Sequence, residues 1–313
     1  MKIFLLLSVL IIALSLSNVY GQQDDTAINE NPAKGKIKVV ASFYPFYEFA
    51  KEIGGTNIVL KSVIPFGFEP HDWEISPQKV SDLMEADMII YSGIGFDAWL
   101  GDKQFGNSTV VDVSKDLKLI RIDQDLSENP QNDARKYGYD PHIWLDPILV
   151  KNISKTISDA LIKIDPNNTD AYLQNTENFN QQLHILNSLI KTSLAHCELK
   201  DFITFHQAFQ YFANRYGLNQ HAVHEGSQEG EILPQQIIKI ISLAKDLGID
   251  TIYSEELKDP KLSQTLASEI PNGKVLLLSP IEGIDQQEQK KDIGYIEKMK
   301  MNLENLKQGL KCK

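Results

Sequence analysis

Cysteine is scarce in this sequence, with only Cys197 and Cys312 among 313 residues. Neither lies near the N-terminal apolar run Ile3–Leu16, which excludes a lipid-attachment site of the bacterial lipoprotein kind. Basic residues are also few. Thirty-one Lys and Arg stand against 42 Asp and Glu, a formal net charge of −11. That balance argues against nucleic acid and against anionic membrane surfaces as partners. It points to cations only weakly, since an acidic solubilising surface has the same composition. No His-Glu-x-x-His segment occurs, so the helix-borne metalloprotease centre is missing. No sequence repeat is found, and no proline or glycine interrupts the stretch from Asn168 to Ala195.

The material that remains is ordinary for a globular protein: 42% hydrophobic and 23% charged residues, in a chain long enough for two lobes. Lys2, the apolar run and Val19-Tyr20-Gly21 form a signal-peptide layout over residues 1–21, with an uncleaved N-terminal anchor as the alternative. The polar residues 22–35 read as a flexible tether. An exported, extracytoplasmic protein is therefore expected. In such a compartment Cys197 and Cys312 either pair, pinning the C-terminal tail to the start of the second lobe, or remain free thiols. Asn107, Asn152 and Asn167 each open an Asn-x-Ser/Thr triplet.

Short apolar runs alternate with helical patterns from Ile37 onward. This predicts α/β architecture with a parallel sheet flanked by helices. Residues 123–139 are polar and aperiodic, a surface loop. Tyr172, Phe179, Leu183, Leu186 and Ile190 fall on one face of a single long helix. The alternation then restarts. The expected organisation is an N-terminal α/β lobe over 36–165, a rigid linker helix over 166–195 and a C-terminal α/β lobe over 196–313.

Three histidines stand in constrained places. His142 lies in Asp140–Pro147, where Pro141 and Pro147 keep the residues before them out of the helical region. His71 follows Glu69-Pro70 and precedes Asp72-Trp73. His206 ends the strand-like Phe202–His206. Ligands of open parallel sheets bind beyond the carboxyl ends of strands, and neutral imidazole is a common zinc ligand. His71, His142 and His206 are thus candidate metal ligands. Trp73 and Trp144 would shield them from water, and Asp140 or Asp72 would fix the ring tautomers. His184, His196, His221 and His224 read as structural or surface residues, and Glu225, Glu229 and Glu231 as a solvated loop.

Five segments carry a resemblance: Ser42-Phe43-Tyr44-Pro45, Glu69–Trp73, Asp140–Pro147, Thr204–Phe209 and the final Tyr295–Asn302. Together they resemble the zinc/manganese-type ABC-transporter solute-binding proteins, the high-affinity zinc-uptake type in particular, from about Lys36 to Leu310. The resemblance implies two lobes joined by one long helix, a Zn2+ cargo held between them by His71, His142 and His206, and a membrane permease as partner. A monomer without enzymatic activity is expected. A histidine at position 206 favours zinc over manganese or iron, because manganese prefers oxygen ligands. The chain departs from the family in Ser279-Pro280-Ile281-Glu282-Gly283, where Ser279 replaces the usual aspartate. The fourth ligand is left among Glu282, Glu256 and water. A zinc hydrolase, using an activated water in an open fourth position, is the competing class.

Overall fold

The computed structural model describes residues 35–101, 103–122, 138–224 and 234–313, apart from the side chains of Asp72, Phe96 and His224. The expected signal segment, the tether before Gly35, the acidic stretch 123–137 and Glu225, Glu229 and Glu231 lie outside the described residues. Among the described residues, no helix is long and apolar enough to cross a membrane.

The first half runs β1 (Ile37–Ala41), α1 (Tyr44–Gly54), β2 (Ile58–Ser62), α2 (Pro77–Met84), β3 (Met88–Tyr91) and β4 (Thr109–Asp112). Two helices follow, α3 (Pro147–Ile164) and the long α4 (Thr169–Ser193). The second half runs β5 (Asp201–His206), α5 (Gln210–Tyr216), β6 (Asn219–His224), α6 (Pro234–Leu247), β7 (Thr251–Ser254), α7 (Lys261–Ser268), β8 (Lys274–Leu277), α8 (Gln286–Lys290) and α9 (Tyr295–Gly309). The strands form two parallel sheets of the same order, β2-β1-β3-β4 and β6-β5-β7-β8. In each, strand order reverses between the central pair, β1/β3 and β5/β7. That is the point where open α/β sheets leave a crevice beyond their carboxyl ends.

Alternation along the central strands explains how the lobes are fused. Val39, Ala41, Met88 and Ile90 face one core, and Phe202 and Tyr253 from the second sheet face the same one. Their neighbours Val40, Ile89 and Tyr91 face away into a separate cluster. Ile203 and Ile252 do likewise in the second lobe. The inner faces of both sheets therefore share a single apolar interior, with period-2 side chains feeding opposite faces. The long helix supplies Tyr172, Phe179, Leu183, Leu186 and Ile190 to that interior. Its 25 residues span about 38 Å at 1.5 Å per residue, so it braces both lobes as a strut.

The two cysteines are bonded, Cys197 just after the long helix and Cys312 just after α9. The bridge ties the C-terminal tail to the start of the second lobe. It closes a loop of 115 residues, and cross-links of that reach stabilise by restricting the unfolded chain, typically by about 2–4 kcal/mol. Cys312→Ser is expected to lower the urea midpoint and to steepen the slope, because the unfolded chain without the bridge exposes more surface. An unchanged midpoint would show that the tail is held by α9 packing alone.

Candidate metal centre

The segment Asp140–Pro147 contains two Asp-Pro turns, and both use the same chemistry. Aspartate side chains readily accept from the backbone two residues on. Asp140 Oδ1 accepts from His142 N at 2.9 Å, and Asp146 Oδ1 accepts from Ile148 N at 2.8 Å, capping α3. Between them Ile143–Leu145 form one buried 3-10 turn. Second-lobe residues clamp this segment. Arg215 forks onto Asp146 at 2.9 and 2.6 Å, Tyr211 Oη donates to Asp140 O, and Tyr295 Oη donates to Trp144 O. Trp144 is fully buried between Phe43 and Phe46, its ring 5.2 Å from that of His142, and it walls the site as expected.

His71 sits on a short 3-10 turn, Pro70–Asp72, and His206 is the last residue of β5. Glu282 follows Ile281 in the turn beyond β8. The structure brings all four side chains together. One ligand atom from each of His71, His142, His206 and Glu282 lies within 4.8 Å of the others. Glu282 Oε1 is 3.0 Å from His142 Nε2, 3.4 Å from His71 Nε2 and 3.6 Å from His206 Nε2. His142 Nε2 and His206 Nε2 are 3.3 Å apart. Four donors placed tetrahedrally about 2.0 Å from one ion would be about 3.3 Å from each other. Four of the six separations, 3.0 to 3.6 Å, scatter around that value.

Each of two rings is held from behind by a carboxylate. His142 Nδ1 lies 2.7 Å from Asp140 Oδ1, and His206 Nδ1 lies 2.8 Å from Glu255 Oε1. Ionised carboxylates only accept, so Nδ1 carries the proton and Nε2 is turned to the centre. Asp140 was expected in this role. The side chain of Asp72, the other candidate, lies outside the described residues. Glu255 was not anticipated. Its signal was topological: it follows β7, which pairs with β5, so it stands beside His206 at the reversal of strand order. The first lobe fills its equivalent position differently. There the buried Asp97 accepts from Ser42 Oγ after β1 and from Ser92 N after β3, both at 2.7 Å. Burial pushes the Asp97 carboxyl up to about 6 against those hydrogen bonds.

The electrostatics follow from this packing. Burial favours the neutral form of His142 and His206. The neighbouring carboxylates, Asp140 with Glu282 and Glu255 with Glu282, outweigh it and raise both pKa values, that of His206 well above the ordinary imidazole range. Burial would raise Glu282, but the charge of His71 and hydrogen bonds from the three rings hold it well below the usual carboxylate range.

Of the two carboxylates considered for the fourth position, Glu282 is the one that stands with the three imidazoles. Glu256 is occupied elsewhere: Ser279 Oγ donates to it and Lys298 Nζ stands 3.1 Å away. His184 and His196 are exposed, and His221 pairs with Asp201 at 2.8 Å, so none of the three joins the cluster.

Comparison with known proteins agrees with this architecture. The family described as zinc-uptake complex component A, periplasmic, matches residues 39–309. The chain is 34% identical over 284 residues to the high-affinity zinc uptake system protein ZnuA of Bacillus subtilis, covering 89% of each. It is 30% identical to the zinc-binding protein AdcA of Streptococcus pyogenes, where 95% of this chain spans only 61% of that relative. Among solved structures, the laminin-binding protein of Streptococcus agalactiae, described as an adhesin with metal-transporting activity, is 30% identical with a TM-score of 0.78, covering 88% of this chain and 99% of that one. The Zn(II)-bound ZnuA-like domain of Streptococcus pneumoniae AdcA is 28% identical with a TM-score of 0.73 over the same shares. With its two equal sheets, its strut and its shared interior, the chain belongs to the zinc-uptake complex component A family.

Proposed function

We propose that this chain is the extracytoplasmic solute-binding component of a metal ABC transporter. It captures Zn2+ between its lobes with His71, His142, His206 and Glu282, and delivers it to a membrane permease. The observation that carries this reading is that three imidazole nitrogens and one carboxylate oxygen lie within 4.8 Å of one another, with four of their six separations between 3.0 and 3.6 Å. Such a set suits zinc, whereas manganese favours more oxygen. The relatives that bind or take up zinc support the same cargo.

Four protein ligands close the coordination sphere. A hydrolytic zinc site keeps one position for water, so the geometry favours carriage over catalysis. Two further features belong to the proposal: residues 1–21 act as an export signal, and the mature protein works as a monomer divided into lobes over 36–165 and 196–313. Capture is an exchange. Any imidazole that carries a proton on Nε2 must give it up as Zn2+ enters, so capture releases protons. Because both lobes share one interior, ligand loops rather than whole lobes move.

Calorimetry on metal-stripped protein is expected to show one Zn2+ bound per chain, with Mn2+ displacing it only at large excess. Absence of Zn2+ uptake would end this reading. Displacement by equimolar Mn2+ would instead move the cargo to manganese.

A further inference from the structure

Glu282 is held in an uncommon way. The residue before it, Ile281, is fully buried and adopts φ 58°. A β-branched side chain in the left-handed region is strained, and such conformations persist only where the surroundings over-determine them. The surroundings here are specific. Ile281 N donates to Ser279 Oγ at 3.0 Å, a serine turn of the same two-residue reach as the Asp140 and Asp146 turns. Ser279 Oγ in turn donates to Glu256 Oε1. Lys298, itself 1% exposed, stands 3.1 Å from that oxygen and 2.8 Å from Glu288 Oε1. Asn302 brackets Ser279, accepting from its N at 2.8 Å and donating to its O at 2.7 Å. Trp144 Nε1 donates to Pro280 O at 2.7 Å, which ties the turn to the loop bearing His142. On the far side, a Cβ on Gly283 would come within 3.2 Å of Leu257 Cδ1 and 3.4 Å of Phe68 O.

We propose that Ser279, backed by Glu256 and Lys298, is a positioning residue that locks the left-handed turn at Ile281 and so aims Glu282 at the metal. Lys298 compensates the buried Glu256. Glu256 accepts the hydrogen bond of the serine O–H, and this orients an oxygen lone pair toward Ile281 N–H. Without the hydroxyl, Ile281 relaxes toward an extended φ, and the Cα–Cβ bond of Glu282 rotates out of the tetrahedron. The acids and the lysine behind Ser279 thus serve the metal centre without touching it. This inference rests on Glu282 being a zinc ligand.

The test uses the whole chain, a chromophoric chelator competing for Zn2+, and the visible bands of the Co2+-loaded protein. Ser279→Ala is expected to weaken Zn2+ binding about tenfold, the scale seen when groups that orient ligands are lost. Its Co2+ spectrum should shift toward that of Glu282→Gln. Ser279→Thr, which keeps the hydroxyl, should stay near wild type, while the isosteric Ser279→Val should behave like alanine. In the Glu282→Gln background, Ser279→Ala should cost nothing further. Equal affinity and spectrum for wild type and both hydroxyl-free variants would overturn the proposal. So would a full additional loss in the double variant, which would mark Ser279 as merely structural. If wild type takes up Zn2+ and Glu282→Gln weakens it while Ser279→Ala does not, only the positioning role fails. If wild type takes up none, the functional reading fails with it.

Discussion

Replacing His142 with alanine is expected to weaken Zn2+ binding about a hundred-fold, ~2.7 kcal/mol. The ring is the most enclosed of the three imidazoles, and its Nε2 makes the shortest of the three contacts with Glu282 Oε1. Removing it takes one corner from the tetrahedron and leaves Asp140, 1% exposed, without its ring donor. A buried carboxylate that loses a partner costs far more than a surface one. Water cannot easily substitute, because Trp144 and the segment pinned by Tyr211 and Tyr295 close the space around the ring. His71→Ala should lose less, about tenfold, ~1.4 kcal/mol. That side chain stands on a short turn and keeps 12% exposure, so a water ligand can take its place. Competition titrations against a chelator of known affinity measure both. Equal losses at the two positions would show that enclosure does not set the ranking.

The second large effect is on pH. The pKa values of His142 and His206 are both raised, that of His206 well above the ordinary imidazole range, by Asp140, Glu255 and Glu282 acting against burial. Zn2+ must displace a proton from each, so affinity should climb by up to about a hundred-fold per pH unit below their folded values, which includes the span from about pH 5.5 to 6.5. The metal-free fold responds in the opposite sense. A raised histidine contributes stability that is complete below its unfolded value near 6.5 and is lost as pH rises through its folded value. Glu282, held low, contributes stability above its unfolded value near 4.5 that is lost only when pH falls through the lower folded value. Metal-free protein should therefore melt highest between these limits and lower as pH rises past 6.5. The upward shift produced by Zn2+ should grow over the same rise. Melting curves with and without metal, at fixed ionic strength, read both trends. A Zn2+ affinity that is flat with pH would show that the two rings are neutral before metal arrives.

Much of this centre was legible in the residues, for identifiable reasons. Proline confines the chain before His71 and His142, and the apolar run of β5 delivers His206 to a sheet end. Those are local effects, and local chemistry is written in neighbouring residues. The Asp-Pro-His order also announced its own turn, since Asp140 reaches only two residues along the backbone. Element ends are set locally too. The helix after His206 begins only at Gln210, because Ala208 N and Thr204 Oγ1 both turn back to His206 O. Strand β6 starts at Asn219, three residues earlier than its apolar part suggests, since Asn219 and Gln220 pair with Asp201 and Phe202 regardless of polarity.

What the residues by themselves determined is therefore the α/β alternation, the strut and three imidazoles of the cluster, all of which depend on periodicity and on backbone restriction within a few positions. The folded chain alone put Glu282 rather than Glu256 beside the three imidazoles, recruited Glu255 behind His206, and joined Cys197 to Cys312. Each of those choices compares side chains far apart in order, where the deciding quantity is distance across a shared interior. Lys298 reaches Glu256 and withdraws it from the metal, and that contact exists only once α9 has packed against the second sheet.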